Sequence, residues 1–336
     1  MTTANTRRRA TRSTVGLLLV AALSLAGVTL STAPARSLSP PGSTAPDVGS
    51  KIAFTRTEVA LPGAADSDAA EIWVMNPDGT GMRRLTHNDT FDLGAIWSPD
   101  GHTIAFYSAP ATGDPQVYLI DANGGDQTPL VNMRSRFPSW SNSGKIAFDN
   151  GSPTSGDIFV VNPDGSGLQQ LTHDPTARNI RPDWSPDGQK IAFQSRLDDP
   201  TNDDIYVMNG DGSDVTRLTT NPAIDAAPAW SPDGRKIVFQ SSRDPGGKTE
   251  IYSMNADGTD QTRLTNYPGR DQDPDWSPNG QQIVFERDAA PISDLTLQVF
   301  VMNADGTDQT QLTGLAPGDP SENSHPGWGR GHLGEQ

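Results

Sequence analysis

Short apolar runs of three to five residues recur along the chain, and turn-forming residues separate them. The clearest unit reads P-x-W-S-P-D-G-x-K-I-A-F, at residues 182–193 and again, with Val for Ala, at residues 228–239. Trp recurs at intervals of 43, 44, 46, 46 and 52 residues, at Trp97, Trp140, Trp184, Trp230, Trp276 and Trp328. Helical periodicity is absent from this array, so the pattern predicts a repeated β unit.

Each unit contains four predicted strands, which we name A, B, C and D in chain order. Strand A ends at the Trp, strand B is the Lys-Ile-Ala-Phe run, strand C is the Ile-Tyr-Val-Met-Asn run, and strand D is the Arg-Leu-Thr run. Ser-Pro-Asp-Gly joins A to B and Asp-Gly joins C to D, and both are hairpin signals. The runs are rich in Ile, Val, Phe and Tyr and apolar on both faces, which is typical of strands packed between two neighbouring sheets.

The two ends of the array are halves of one unit. A strand B at residues 52–54 has no Trp before it, and Trp328 has no strand B after it. The sequence therefore predicts an all-β fold, a six-bladed β-propeller of four-stranded antiparallel blades, closed by pairing of the C-terminal strand with the N-terminal three strands. The Trp side chains are expected to pack between blades, with carbohydrate stacking as the alternative.

The N-terminus has a different composition from the array. Four arginines precede an apolar stretch at residues 15–30, and Ala33, Pro34 and Ala35 give a small-x-small cleavage pattern. Residues 1–35 are therefore predicted to be a signal peptide, with a membrane anchor as the alternative. Residues 36–50 are predicted to be a flexible leader, residues 51–329 the propeller and residues 330–336 a tail.

The charge balance bears on the partners. The chain has 25 Lys and Arg against 41 Asp and Glu, a net charge of −16, and no Cys. An acidic protein repels nucleic acid and anionic membranes, so we expect no nucleic-acid partner and no stable membrane insertion after signal cleavage. Without Cys, disulfides and thiolate metal sites are excluded. The expected location is secreted or cell envelope (periplasmic or extracellular), and the expected state is a monomer.

A resemblance to a known family follows from the best-formed units. P-D-W-S-P-D-G-Q-K-I-A-F-Q-S-R with D-D-I-Y-V-M-N-G-D-G-S-D-V-T-R-L-T, and P-A-W-S-P-D-G-R-K-I-V-F-Q-S-S-R-D in the next repeat, resemble the WD-like propeller repeats of the TolB family. The resemblance covers about residues 51–329. It implies a propeller and, from the binding of the lipoprotein Pal by the TolB propeller in the periplasmic Tol–Pal system, a protein partner.

The resemblance covers the propeller alone. TolB carries an α/β domain ahead of its propeller, whereas 15 residues lie here between the expected cleavage site and the first strand. The same repeat occurs in the propellers of prolyl-oligopeptidase-like and tricorn-like peptidases. Those enzymes need a catalytic domain, and the sequence has no G-x-S-x-G nucleophile motif.

The candidate functional face is the end that varies between repeats. The A–B and C–D hairpins are nearly uniform, whereas the B–C loops and the D–A crossovers differ in length and content. A polar residue five positions before each Trp is expected to ring the mouth of the central channel: Asp92, Ser135, Asn179, Asp225, Asp271 and Asn323. Its three carboxylates could hold Ca²⁺, and the alternative is that these residues cap strand ends.

Arginines on the same crossovers could pair with these carboxylates or receive an acidic peptide group. The candidate binding residues are Asp92, Arg136, Arg178, Asn179, Asp225, Arg270, Asp271 and Asn323. The metal candidates are Asp92, Asp225 and Asp271. No catalytic residue is assigned, and no cofactor is expected apart from Ca²⁺.

The sequence predicts a secreted or cell-envelope scaffold that binds a protein or peptide through the variable loop face. The alternative is a stand-alone propeller enzyme of the polysaccharide lyase or glycosidase type, working at the channel mouth, with a divalent cation as an optional component.

Overall fold

The computed structural model describes residues 49–58, 69–288, 296–314 and 321–331. The predicted signal peptide, and the predicted leader up to residue 48, lie outside these ranges. Within the described residues the regular structure is β throughout, in six four-stranded antiparallel sheets. No helix in these ranges has the length and apolar character needed to cross a membrane. The six-bladed propeller predicted from the sequence is confirmed.

Each sheet is one blade with its strands in the order A, B, C, D. Blade 1 contains β24 (Glu322–Arg330), β1 (Ser50–Thr57), β2 (Ala70–Met75) and β3 (Arg83–Arg84). Blade 2 contains β4 (Phe91–Trp97), β5 (Thr103–Ala109), β6 (Gln116–Asp121) and β7 (Thr128–Pro129). Blade 3 contains β8 (Arg136–Trp140), β9 (Ile146–Asp149), β10 (Ile158–Val161) and β11 (Gln169–Gln170).

The second half of the ring repeats this order. Blade 4 contains β12 (Asn179–Trp184), β13 (Lys190–Ser195), β14 (Asp204–Asn209) and β15 (Thr216–Arg217). Blade 5 contains β16 (Asp225–Trp230), β17 (Lys236–Ser241), β18 (Glu250–Asn255) and β19 (Thr262–Arg263). Blade 6 contains β20 (Asp271–Trp276), β21 (Gln282–Asp288), β22 (Leu297–Asn303) and β23 (Thr310–Gln311).

The hydrophobic core lies between blades, because strand B is buried on both faces. In blade 4, Ile191 and Phe193 pack with Trp184 against blade 3, whereas Ala192 packs against Trp230 of blade 5. Six such clusters join successive blades around the ring. Burying one side chain of this size contributes about 1.5–3 kcal/mol. The prediction that the Trp side chains pack between blades is confirmed.

The ring closes through β24. It pairs antiparallel with β1, with Trp328 opposite Ile52. Trp328 and Ile52 then share a core cluster with Val284 and Val299 of blade 6. The Trp328 indole Nε1–H donates to Ser50 Oγ at 3.0 Å. The last strand thus removes the open edge of β1, as the sequence predicts.

Strand D is shorter than predicted, and the Thr that follows it bonds the start of strand C in the same blade. Thr265 is buried, and its hydroxyl accepts the Ile251 N–H at 2.9 Å and donates to Glu250 at 2.7 Å. Arg263 Nη2 also donates to Glu250 at 2.7 Å. Blades 1 and 4 repeat this arrangement of Arg, Thr and carboxylate. The Arg-Leu-Thr motif therefore compensates a buried carboxylate at the start of strand C.

The A–B turns have the predicted chemistry. In blade 4 the Gly188 N–H donates to the Ser185 carbonyl at 2.8 Å, and Gly188 has a φ of 68°. The Ser185 hydroxyl donates to Asp187 at 2.6 Å and accepts the Lys190 N–H at 2.9 Å. Since each turn satisfies its own polar groups, the hairpin end repeats nearly unchanged around the ring.

Candidate functional site

The channel is lined by the residue three positions before each Trp, which we call the channel ring. All six residues have a left-handed backbone, with φ between 47° and 62°: Gly94, Phe137, Arg181, Ala227, Asp273 and His325. They line a channel cavity of about 130 Å³. Pro or Ala follows at the next position, and the Trp side chains surround the channel at the hairpin end.

A β-bulge in strand A creates this ring. In blade 6, Gln272 pairs with Glu286 and Asp275 with Val284, so two residues of strand A stand opposite one of strand B. The extra residue is turned out of the ladder towards the channel. A left-handed backbone costs an L-residue about 1–2 kcal/mol, and yet five of the six ring residues are not Gly. The bulge is thus common to all blades, whereas the side chain on it is specific to each.

The preceding blade holds several of these bulges through strand B. The Arg181 N–H donates to Asp149 at 3.0 Å, the Asp273 N–H to Gln240 at 2.9 Å and the His325 N–H to Glu286 at 2.8 Å. Each of these three acceptors directly follows the Phe of the strand B run. The periodic pattern of the sequence did not distinguish this position from its neighbours.

An ion pair spans the channel. Arg181 of blade 4 donates to Asp273 of blade 6 at 2.6 Å, and Asp273 lies 3.4 Å from His325 Nε2 of blade 1. The Arg181 guanidinium carbon lies 4.1 Å from the centroid of the Phe137 ring. Blades that are not adjacent therefore meet inside the channel through side chains alone.

Burial governs the titration of the groups around this pair. Desolvation and the neighbouring Asp273 charge together raise the pKa of Glu286 to about 8. Desolvation also raises the pKa of Asp275 to about 7 and that of Asp183 to about 6. Burial lowers the pKa of His325, which favours a neutral imidazole at neutral pH.

One group of side chains in the described ranges combines ligand atoms suited to a metal. Asp273, Glu286 and His325 each offer one such atom, and these atoms lie within 4.8 Å of one another. Arg181 already neutralises Asp273, and its guanidinium would repel a cation placed there. The carboxylate and imidazole ligand atoms suit a divalent ion, whereas the positive charge of Arg181 disfavours ion binding.

The six polar residues predicted to ring the mouth lie outside this channel cavity. They are at or next to the start of strand A and are buried, with exposed fractions of 0–2%: Asp92, Ser135, Asn179, Asp225, Asp271 and Asn323. None is among the residues that line the described channel cavity. The bulge turns the residue two positions later into the channel, and the expected ring of these six residues around the mouth stays a prediction. Any binding role for them stays a prediction.

The partners of these residues are within or beside their own blades. Asp271 accepts two hydrogen bonds from Arg287, at 2.6 and 2.7 Å, and Asp225 accepts one from Arg243 at 2.8 Å. Of the other four, Asp92 bonds Asn88, Ser135 bonds the Val117 N–H and Asn179 bonds Ser195, whereas Asn323 bonds Gln298 and also accepts from the Arg56 guanidinium at 3.5 Å. The three metal candidates thus lie in three different blades, and two of them are neutralised by Arg. Ca²⁺ binding at them stays a prediction.

The predicted arginines lie on the loop end of the blades. Arg270 pairs with Asp288 in blade 6 at 2.9 Å. Arg136 and Arg178 belong to a group in blades 3 and 4 that also includes Arg196, and we call these three the arginine cluster. Arg136 pairs with Asp149 at 3.3 Å, and Arg178 and Arg196 share Asp203 at 3.1 and 2.8 Å.

The sequence did not single out Phe137, Arg181, Asp273 and His325 as site residues. A column-by-column comparison of the repeats shows Gly, Phe, Arg, Ala, Asp and His at this position, directly before a Pro or Ala. The positions one and four before each Trp vary as much, so sequence variation alone does not single out the channel ring.

The repeat geometry agrees with a family model. The model of the TolB β-propeller domain, PD40, matches residues 43–179 and 137–328. The chain belongs to this TolB β-propeller family. Among its relatives is a protein named TolB homolog from Chlorobium luteolum, 30% identical over 128 residues, which cover 37% of this chain and 28% of that protein. The matched region is thus less than a third of that relative.

Other comparisons agree on the repeat and the fold. A Tol-Pal system protein TolB from Gluconobacter oxydans is 35% identical over 100 residues, covering 28% of this chain and 20% of that protein. The structure of TolB from Acinetobacter baumannii superposes on 83% of this chain and 66% of its own, with a TM-score of 0.67 and 21% identity. At that identity the likeness shows the propeller fold of the TolB family.

A more distant structural neighbour is an enzyme. An oligogalacturonate lyase in complex with manganese superposes on 72% of this chain and 70% of its own, with a TM-score of 0.51 and 15% identity. This likeness again concerns the fold alone.

Proposed function

We propose that this chain is a secreted or cell-envelope scaffold that binds a protein or peptide through its loop face, the end formed by the B–C loops and D–A crossovers. One observation carries this proposal. The blades repeat the same interblade cores and hairpins, whereas the channel ring and the loops beside it differ from blade to blade. A uniform scaffold with one variable end is typical of a binding surface.

The comparisons support the setting of this proposal. A relative named as a Tol-Pal system protein favours a protein partner and an envelope location. The signal peptide predicted at residues 1–35 also favours export. The net charge of −16 disfavours nucleic acid as the ligand. The proposal also states that the protein is a monomer, that it has no catalytic residue and that it acts through its partner.

Partner capture tests the proposal. The chain from residue 36 onward is immobilised and exposed to an envelope extract, and retained proteins are identified by mass spectrometry. We expect a retained protein to be lost when Arg134→Glu and Arg270→Glu change the charge of the loop face, where these side chains are 31% and 44% exposed. Arg235→Glu on the hairpin end, at a side chain 85% exposed, is the control.

The proposal fails if nothing is retained from any extract of the source organism's envelope. It also fails if the loop-face and hairpin-end variants lose the partner equally, since binding would then depend on overall charge.

A second candidate function is a propeller enzyme that acts on a polysaccharide at the channel, with a divalent cation. The grouping of Asp273, Glu286 and His325, and the fold shared with a manganese-bound lyase, favour it. Calorimetric titration with Mn²⁺ and with Ca²⁺ tests it. Stoichiometric binding lost in His325→Ala would support a channel site, and loss in Asp225→Asn or Asp271→Asn would instead support the predicted Ca²⁺ site. No binding of either ion would remove the metal-dependent form.

A further inference from the structure

The arginine cluster is an island of positive charge on an acidic protein. Its three guanidiniums share two carboxylates, Asp149 and Asp203, while the whole chain carries a net charge of −16. The side chains of Arg136, Arg178 and Arg196 are 17–28% exposed, so solvent reaches each of them. The cluster therefore has one more positive than negative charge. It lies at the loop end of blades 3 and 4.

Arg178 lies close enough to Arg136 and Arg196 for their charges to oppose its own, whereas the hydrogen bond to Asp203 raises the pKa of Arg196. Burial lowers the pKa of Arg178, and the neighbouring charges of Arg196 and Arg136 lower it further against the opposing effect of Asp203. A nearby anion would relieve this repulsion. The cluster thus brings together three positively charged side chains and two negatively charged ones.

The hydrogen bonding of the cluster is incomplete. Arg136 and Arg196 each reach a carboxylate through Nη2, and their buried Nε atoms have no hydrogen-bond partner in the described residues. Structural arginines of this chain differ. Arg217, Arg263 and Arg287 each donate through Nε as well as through Nη2. Because these two Nε atoms are shielded from solvent, an incoming carboxylate would be bound through the Nη groups of Arg136 and Arg196.

An aromatic surface lies beside the cluster. The Arg136 guanidinium carbon is 5.4 Å from the centroid of Phe137, whose ring is 5.0 Å from that of Tyr107. Phe137 lines the channel cavity of about 130 Å³. A ligand held by the arginines would thus have apolar surface within reach, at the edge of the channel.

We propose that Arg136, Arg178 and Arg196 form a binding site for the carboxylate group of a peptide at the loop-face rim of blades 3 and 4. This rests on the proposed function, because it names the group through which a peptide partner is held. A guanidinium presents paired N–H donors that match the two oxygens of a carboxylate. The extended peptide lies over Phe137 towards the channel. The carboxylate is supplied by a chain terminus or by a Glu or Asp side chain.

Three short peptides test this site on the chain from residue 36 onward. They are acetyl-Gly-Ala-Phe-Ala with a free carboxyl terminus, the same peptide amidated, and amidated acetyl-Gly-Ala-Phe-Glu. Affinities are measured by NMR titration in 50 mM salt. We expect at least one carboxylate peptide to bind about tenfold more tightly than the neutral amide. Which of the two binds distinguishes a terminal from a side-chain carboxylate.

Variants locate the binding. Arg196→Gln is expected to weaken the carboxylate peptide about tenfold, and Arg196→Lys to restore only part of the affinity, because an ammonium lacks the paired donors. Arg235→Gln removes the same charge at the hairpin end and is expected to change affinity less than about twofold. Thermal melts confirm folding. Arg196 is the most exposed of the three side chains, so its variants are expected to fold even if Arg178→Gln does not.

The site is overturned if no peptide binds, if the neutral amide binds as tightly as the others, or if Arg196→Gln and Arg235→Gln have equal effects. Partner capture separates this failure from that of the scaffold. If the loop face still retains an envelope protein, the proposed function stands and the carboxylate site falls. If capture also fails, both fall.

Discussion

Arg287 shows how single residues stabilise carboxylates inside the blades. It makes two hydrogen bonds to Asp271, and its guanidinium carbon lies 4.2–5.1 Å from the ring centroids of Tyr267, Phe300 and Phe285. The Asp271 side chain is fully buried and the Arg287 side chain is 8% exposed. Removing either partner would leave the other charge uncompensated in a poorly solvated place.

We predict that Arg287→Ala lowers the free energy of unfolding by about 3–5 kcal/mol, because Asp271 remains buried without its counter-charge. Urea denaturation measures the change. Arg235→Ala is the matched control, since Arg235 is 85% exposed and lies 4.0 Å from Asp233. We expect it to change stability by less than about 1 kcal/mol. A similar loss in the two variants would contradict the structural role of the Arg287 pair.

The channel carboxylates predict a pH dependence of stability. Desolvation raises the pKa of Asp275 from 3.8 to about 7. Between these values the unfolded chain releases a proton that the folded chain keeps, so the free energy of unfolding falls as pH rises. The contribution is complete below the unfolded value and is lost as pH rises through the folded one. One such group changes stability by at most about 1.4 kcal/mol per pH unit.

Thermal or urea unfolding between pH 4 and 8 measures this slope. We expect Asp275→Asn to flatten it, because Asn carries no titrating proton. The exposed turn residue Asp257 is a useful comparison, since its hydrogen bonds with Thr259 lower its pKa and move its titration below this window. Asp257→Asn should leave the slope between about pH 5 and 8 unchanged, because the unfolded Asp is ionised in that range. An unaltered slope in Asp275→Asn would show that this carboxyl is ionised throughout.

At the scale of the element, the Arg-Leu-Thr motif joins strand C to strand D by side-chain chemistry. Thr265 connects the amide of Ile251, the second residue of β18, to the Glu250 carboxylate, which Arg263 also contacts. Two residue pairs join β18 to β19, and the Leu264 N–H adds a backbone bond to the Ile251 carbonyl at 2.8 Å. The buried hydroxyl therefore has a structural function that propensity alone does not indicate.

Thr265→Val tests that function with almost no change in volume. We expect a loss of about 1–3 kcal/mol in the free energy of unfolding, since the Ile251 amide loses its acceptor and the Glu250 carboxylate loses a donor. Thr262→Val, at an exposed residue of β19, is the control and should change stability by less than about 0.5 kcal/mol. A neutral effect of Thr265→Val would mean that water replaces the hydroxyl.

At the scale of the whole propeller, closure by β24 decides whether the ring is stable. This strand covers the edge of β1 and completes the core cluster between blades 6 and 1. Ending the chain at residue 314 would expose both surfaces. We predict that this truncated chain loses the cooperative unfolding transition of the full chain, as monitored by circular dichroism and calorimetry.

A circular permutant provides the matched control. β24 ends opposite the start of β1, with Arg330 paired to Ser50, so a short A–B turn can join residue 331 to residue 49. Opening the chain between residues 314 and 321 then places β24 and β1 in one hairpin. We expect this permutant to keep a single cooperative transition, because every described strand pair is retained. Loss of folding in the permutant would show that chain order, and not closure alone, is required.

The sequence determined most of the architecture. The regular Trp spacing, the Ser-Pro-Asp-Gly turns and their variants, and the apolar strand B runs are local signals, and their repetition along the chain leaves little alternative to a closed propeller. The half-units around residues 52–54 and Trp328 even predicted which strands close the ring. Strand D was the exception, because its Thr acts through a bond to strand C and not through the ladder.

Tertiary structure alone decided which residues meet in the channel. Arg181 and Asp273 are 92 positions apart, and nothing local to either predicts their contact. The bulge in strand A turned the position three before Trp into the channel and left Asp92, Asp225 and Asp271 buried with other partners. A repeat pattern fixes each blade because its interactions are short-range or between neighbours. The channel site depends on how six such blades converge on one axis.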